Sequence, residues 1–191
     1  LGAWLQRLPW RSGRSPLRAH PEAEAAVIEQ WTHGPFGDFW KVPGLWFAGA
    51  HADYPAIPCV HMSGWYDPYS VTAVENYRGL ADAGRGPQSL ILGAFTHGRR
   101  SERVVGDVGL GPDAPLDSWA GDWWRFQAHA LHRALDGLPP EGPRVRYFMM
   151  GGGSGRRTPE GHLDHGGHWA EAADWPPPEG RARAYHLHPD G

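Results

Sequence analysis

Asp67 and His97 are the two residues whose types and spacing could do chemistry together. Each follows a short apolar run. Ala56 to Ser63 leads into Gly64-Trp65-Tyr66-Asp67-Pro68, and Gln88 to Phe95 leads into Thr96-His97-Gly98. A hydroxyl is a poor nucleophile until a base takes its proton, and imidazole titrates near neutrality. A carboxylate beside the ring fixes its tautomer and stabilises the imidazolium. An exposed turn aspartate and an unrelated loop histidine, both common, would give the same pattern.

The elements around the pair decide whether the two can meet. Ala56 to Ser63 and Gln88 to Phe95 both read as buried strands. Between them Tyr69 to Ala83 reads as a helix, with Val71, Val74, Tyr77 and Leu80 at helical spacing and Gly84 as the stop. Strand, helix and strand with short connections predict a right-handed βαβ unit in a parallel sheet. Both loops then open at the carboxyl edge of that sheet, where α/β folds place their sites. The sheet would set the spacing. A carboxylate oxygen of Asp67 is expected within about 2.6–3.2 Å of a ring nitrogen of His97. The order, acid and then histidine, is also the order in which α/β-hydrolase triads end.

The rest of the chain divides by style. Residues 1–55 mix short helices and loops, with Pro21 to Gln30 the best helix. A Gly/Asp/Pro-rich loop spans Gly106 to Pro115. Ser118 to Asp136 reads as a strong helix with two aromatic and aliphatic stripes, ended by Gly137 and Pro139-Pro140. From residue 142 the pattern becomes β-like. Arg144 to Met150 alternates as a half-buried antiparallel strand and Arg181 to His188 as a second one. The fold class expected is α/β, in three parts: 1–55, 56–141 and 142–191.

Other candidate chemistry is weaker. No serine sits in a nucleophile elbow. Gly152-Gly153-Ser154-Gly155-Arg156 lacks the last glycine and follows a strand of antiparallel type. The same glycines make a poor phosphate loop, since no lysine or helix follows. His162, Asp164, His165 and His168 could suggest a metal site, but they lie in a Gly-rich loop without a recognisable second layer of partners, and no metal is assigned.

Composition excludes several classes. With 40% hydrophobic and 20% charged residues the chain is globular rather than disordered. A net charge of −3 gives no footprint for nucleic acid or an anionic membrane. No apolar run reaches transmembrane length, and the first residues are not a signal peptide. The lone Cys59 rules out an internal disulfide framework. Lys41 is the only lysine, and the Arg, Ala, Gly and Pro bias is that of a GC-rich bacterial gene. The compartment stays unassigned, with a slight preference for the cytoplasm. The eleven tryptophans serve packing or line an apolar pocket. The chain begins without Met and stops where a strand enters a turn, so a fragment is expected.

Several motifs together resemble the cocaine esterase and X-Pro dipeptidyl-peptidase family of serine hydrolases, which includes the α-amino-acid ester hydrolases. They are Trp31-Thr32-His33 with Asp38-Phe39-Trp40; Ile57-Pro58 leading to Gly64-Trp65-Tyr66-Asp67; Leu92-Gly93-Ala94-Phe95-Thr96-His97; Val105-Gly106-Asp107; Leu135-Asp136-Gly137; Val145 to Gly151; and Trp169 with Trp175-Pro176. The resemblance implies the C-terminal portion of such an enzyme: the end of a helical cap at 1–55, the last part of an α/β-hydrolase domain, and the start of a jelly-roll β domain from about 142. By position Asp67 matches the triad acid and His97 the triad base. Tyr69 matches an aromatic that lines the acyl pocket, and Trp65 is taken with it as substrate-binding. The serine and its oxyanion donor would precede these residues. The chain departs from the family at Phe95, where such members often carry Trp or Ser; this bears on packing.

The function implied is cleavage of a small ester, an amide or a short peptide through an acyl-enzyme, without a cofactor. Asp53 is a loose candidate to hold a substrate ammonium. No nucleic-acid or membrane partner is expected, and a homo-oligomer is possible. The rival readings are a non-catalytic carbohydrate- or ligand-binding module and an inactive hydrolase fragment.

Overall fold

A computed structural model describes residues 2–42, 44–116, 132–133, 136, 144–186 and 188. The chain forms two compact units, Leu1–Gly49 and Ala50–Gly191.

The first unit holds helix α1 (Gly2–Leu5), helix α2 (Pro21–Thr32) and a 3-10 turn at Asp38–Trp40. Helix α2 opens on Pro21 and has Glu22 and Glu24 in its first turn. Proline's fixed φ suits a first helical position, and acids there oppose the positive end of the helix dipole. The helix runs two residues beyond the expected Gln30. Aromatic rings do much of the packing here. Trp10 stacks on Trp31 at 4.9 Å, and His33 on Phe39 at 4.1 Å.

The second unit carries the predicted βαβ unit. Strand β1 (Cys59–Tyr66), helix α3 (Ser70–Asp82) and strand β2 (Gln88–Thr96) follow one another, and β1 pairs with β2 in parallel. β1 starts three residues later than expected. Pro58 has no N–H to give to a ladder, and the first step is the Cys59 amide on the Pro87 carbonyl, 3.0 Å. Two short strands, β3 (Val104–Val105) and β4 (Val108–Gly109), come next; β4 lies inside the segment expected to be loop. The expected helix from Ser118 falls mostly outside the described residues.

Strand β5 (Val145–Met150) joins the same sheet, parallel to β2, and pairs antiparallel with β7 (Gly167–Ala172). The main sheet has the order β1-β2-β5-β7, and β6 (Leu163–Asp164) completes a second sheet in the order β3-β4-β6. The architecture is therefore mixed α/β. Arg181 to His188 does not form the expected strand: residues 181–186 and 188 are irregular, and 181–186 are exposed. Alternation alone does not make a strand without a partner to pair with.

β2 is the central strand, buried from Gln88 to Phe95 on both faces. Leu90 and Leu92 pack with Tyr77 of α3 and Val145 of β5; Ile91 and Phe95 pack with Leu116. A strand covered on both faces reads as a continuous apolar run, which is why Gln88 to Phe95 was visible in the sequence. Gln88 is polar and fully buried, yet its side-chain nitrogen donates to the carbonyls of Arg85, Gly86 and Ile57 and its oxygen accepts from His61 Nε2 at 2.8 Å. No helix among the described residues is long and apolar enough to cross a membrane.

Candidate functional site

The register of β1 on β2 positions the site. From Cys59↔Gln88 to Gly64↔Gly93 the strands advance one residue for one. The next pair is Tyr66↔Thr96. Two residues of β1 thus span three of β2, which is a β-bulge beside the loop that carries His97. Without the extra residue Tyr66 would face Phe95, and Asp67 would come level with Thr96. The bulge brings Asp67 and His97 level instead.

Two glycines accommodate it. A Cβ on Gly64 would collide with the Phe95 carbonyl oxygen, and one on Gly93 with the Phe95 ring. Phe95 is 3% exposed and packs with Ile91 and Leu116, so its ring has little room to give way. A glycine inside a strand often marks such a bulge or a close backbone approach.

After Tyr66 the chain turns at once. The Asp67 amide donates to the Gly64 carbonyl at 3.0 Å, and the Ser70 amide to the Asp67 carbonyl at 3.1 Å. The Tyr69 amide donates to Asp67 Oδ1 at 2.9 Å. The other carboxylate oxygen, Oδ2, accepts from His97 Nδ1 at 3.1 Å. This lies within the range expected from the strand ends. The Asp67 side chain is 8% exposed and that of His97 is 71% exposed. An ionised carboxylate only accepts, so Nδ1 carries the hydrogen, and in the neutral ring Nε2 keeps its lone pair. The arrangement can hold a base whose free nitrogen is open to a reactant.

The other expected residues divide. The Tyr69 ring meets His97 edge to face, centroids 5.4 Å apart. Trp65 is engaged elsewhere. Its indole N–H donates to the Phe148 carbonyl at 2.7 Å, and its ring packs with Trp175. With Tyr147, Met149, Met150 and Pro177 these two tryptophans line a shallow apolar depression of about 400 Å³. Asp53 is exposed at the end of a 3-10 segment, Phe47–Asp53. Of the loop histidines and Asp164, the His165 amide bonds the Gly109 carbonyl, Asp164 lies in β6 and His168 in β7. Among the described residues no group of three or more His, Cys, Asp or Glu is placed to hold a metal ion.

The sequence reading missed the bulge and three polar pairs. His51 Nε2 meets Asn76 Oδ1 at 2.9 Å. His61 sits on β1 with its pKa lowered, chiefly by burial, then by His51, while the hydrogen bond to Gln88 acts the other way. The Tyr77 hydroxyl donates to Asp174 Oδ1 at 2.7 Å. Burial, followed by that hydrogen bond, raises the Tyr77 pKa, and the same bond leads in lowering that of Asp174. These pairs are 25 to 97 residues apart in sequence, so local spacing carries no trace of them. The bulge did leave a signal, a glycine in each of two adjacent strands.

Residues 3–99 match the family described as X-Pro dipeptidyl-peptidase (S15 family). The match covers more than half of the chain and includes both Asp67 and His97. A search of the curated proteins finds no match to the chain.

Proposed function

Because the chain belongs to the X-Pro dipeptidyl-peptidase (S15) family of hydrolases, we propose that it forms part of a serine hydrolase that cleaves acyl ester or amide bonds through a covalent acyl-enzyme. The observation that carries the proposal is the 3.1 Å contact between Asp67 and His97 at the carboxyl ends of paired parallel strands. In this reading Asp67 is the triad acid and His97 the general base. The serine comes from residues outside this sequence.

Each residue has one task. Asp67 Oδ2 holds the Nδ1 hydrogen, which leaves Nε2 free to take the serine hydroxyl proton as that oxygen attacks the substrate carbonyl. The imidazolium returns the proton to the leaving alcohol or amine as the tetrahedral intermediate collapses. A water then repeats the sequence against the acyl-enzyme, and the serine recovers its hydrogen. Asp67 is well placed to stabilise the imidazolium because its carboxylate is shielded from water. The Tyr69 ring borders the imidazole and would face the acyl group. The reading further takes residues 1–55 as the end of a cap and those from 142 as the opening of a jelly-roll domain.

The test is a protein that carries this chain together with its serine. It should be labelled by a fluorophosphonate, and labelling should fall away in His97→Ala. Turnover of a p-nitrophenyl acyl ester and of an X-Pro p-nitroanilide then separates an esterase from a dipeptidyl-peptidase. Absence of labelling in the intact protein would sink the proposal.

A further inference from the structure

A second feature lies in the first unit, in a part of the chain with a charge balance of its own. Residues 1–20 hold four arginines, Arg7, Arg11, Arg14 and Arg18, and no acid, although the whole chain is net −3. The fold gathers all four around one cavity of about 480 Å³, which Trp4 and Pro9 also line.

Two of the cations are held by an aromatic ring. The guanidinium carbons of Arg7 and Arg18 lie 5.0 and 5.2 Å from the centroid of the Trp4 ring, within cation–π range. Arg11 and Arg14 come from one turn, closed by the Arg14 amide on the Arg11 carbonyl at 2.8 Å. None of the four forms an ion pair among the described residues.

The buried carboxylate beside this loop is already committed. Glu24 of α2 accepts from the Gly13 amide at 2.7 Å through Oε2 and from the Ser15 amide at 3.1 Å through Oε1. It is 3% exposed. The Ser15 hydroxyl first, then the Gly13 amide, keep its carboxyl below the ordinary range. Glu24 thus fixes the backbone of the arginine-bearing loop rather than pairing with its side chains. Gly13 takes φ +74° at that anchor, a left-handed conformation suited to glycine.

Four like charges around one cavity repel each other, and the repulsion is relieved when an anion enters. Arginine forks fit the paired oxygens of phosphate and carboxylate groups, which adds geometry to charge. We propose that Arg7, Arg11, Arg14 and Arg18 form a binding site for a small molecule bearing a multiply charged oxyanion group. It is a site separate in sequence from Asp67 and His97, and it stands whether or not the hydrolase reading does.

The probes are pyrophosphate and citrate, titrated calorimetrically into the 191-residue chain in a buffer without competing anions; the pair distinguishes phosphate from carboxylate heads. At least one should bind below millimolar concentration at low salt, and added salt should weaken it. Arg11→Gln with Arg14→Gln should weaken it at least tenfold, whereas Arg183→Gln should not. Both substituted arginines are exposed, so the thermal melt of the double variant should match that of the parent chain. If it melts early, the single variants serve in its place, each with weaker binding expected. No heat with either anion, unchanged binding in the arginine variants, or tighter binding of a random oligonucleotide than of either small anion would overturn the proposal.

Discussion

Gly64→Ala tests the claim that the β-bulge sets the spacing of Asp67 and His97. The new methyl carbon would fall 2.6 Å from Phe95 Cδ2 and inside contact distance of the Phe95 carbonyl oxygen. The Phe95 ring is packed against Ile91 and Leu116, and the oxygen is backbone within the bulge. Relief requires the two strands to part or the bulge to slide, a displacement on the order of 1 Å. Forcing an extra carbon into a packed site costs about 1–3 kcal/mol, and the upper end applies because the obstacle is backbone. If the bulge slides out, Asp67 comes level with Thr96 and the 3.1 Å contact is lost. In the active enzyme a misplacement of about 1 Å would lower turnover by roughly a hundredfold. Gly98→Ala is the control. Gly98 adjoins His97 and has φ +77°, but a Cβ there meets nothing within 4 Å. It should cost only about 1 kcal/mol of backbone strain. Urea unfolding of both variants reads stability, and kcat/KM reads alignment. If Gly64→Ala proves no more costly than Gly98→Ala, or keeps the Asp67–His97 contact in its own structure, the bulge does not set the pair.

Three further outcomes are expected. On the proposed roles of His97 and Asp67, His97→Ala should lower kcat/KM at least about a thousandfold and Asp67→Asn by a similar order, because the members of a triad act as a unit; near-normal turnover in either would rule out these roles. Tyr77→Phe should cost about 1.5–3 kcal/mol in urea unfolding, the usual range for a hydrogen bond to a charged group, since it removes the 2.7 Å donation to Asp174. His61, whose pKa is depressed in the fold, should make stability pH-dependent. Its contribution is complete above the unfolded value of about 6.5 and is lost as the pH falls toward the folded value. His61→Gln should flatten the stability profile below that pH, and an unchanged slope in a pH series of urea melts would argue against it.

The βαβ unit was legible because its signals are local. Tyr77 and Leu80 are buried where helical spacing put them, although Val71 on the same stripe is 64% exposed. Pattern reading failed where pairing decides. Val145–Met150 alternates as an antiparallel strand does, and it does pair antiparallel with β7, but its other edge runs parallel to β2. Arg181 to His188 alternates equally well without forming a strand in its described residues. The contact between Asp67 and His97 was legible from strand order alone. The bulge was not, because counting residues along two strands assumes that they advance together.

The two members of the pair are held differently, and the difference follows from their places in the chain. Asp67 stands at the end of β1 and at the start of a tight turn. Its backbone bonds Gly64 and Ser70, and its Oδ1 accepts from the Tyr69 amide. The carboxylate is thus fixed and shielded before the imidazole arrives. His97 stands one residue past the bulge and just before Gly98, with most of its ring in water. Its described side-chain contacts are Asp67 Oδ2 and the Tyr69 ring. A single hydrogen bond to a carboxylate contributes about 1.5–3 kcal/mol to stability, too little to set the register of two paired strands. The causal order must therefore run from strand register to pair and not the reverse. The packing of Phe95 against Gly64 and Gly93 aligns the strand ends, the turn fixes the carboxylate, and the carboxylate sets the tautomer and direction of the imidazole.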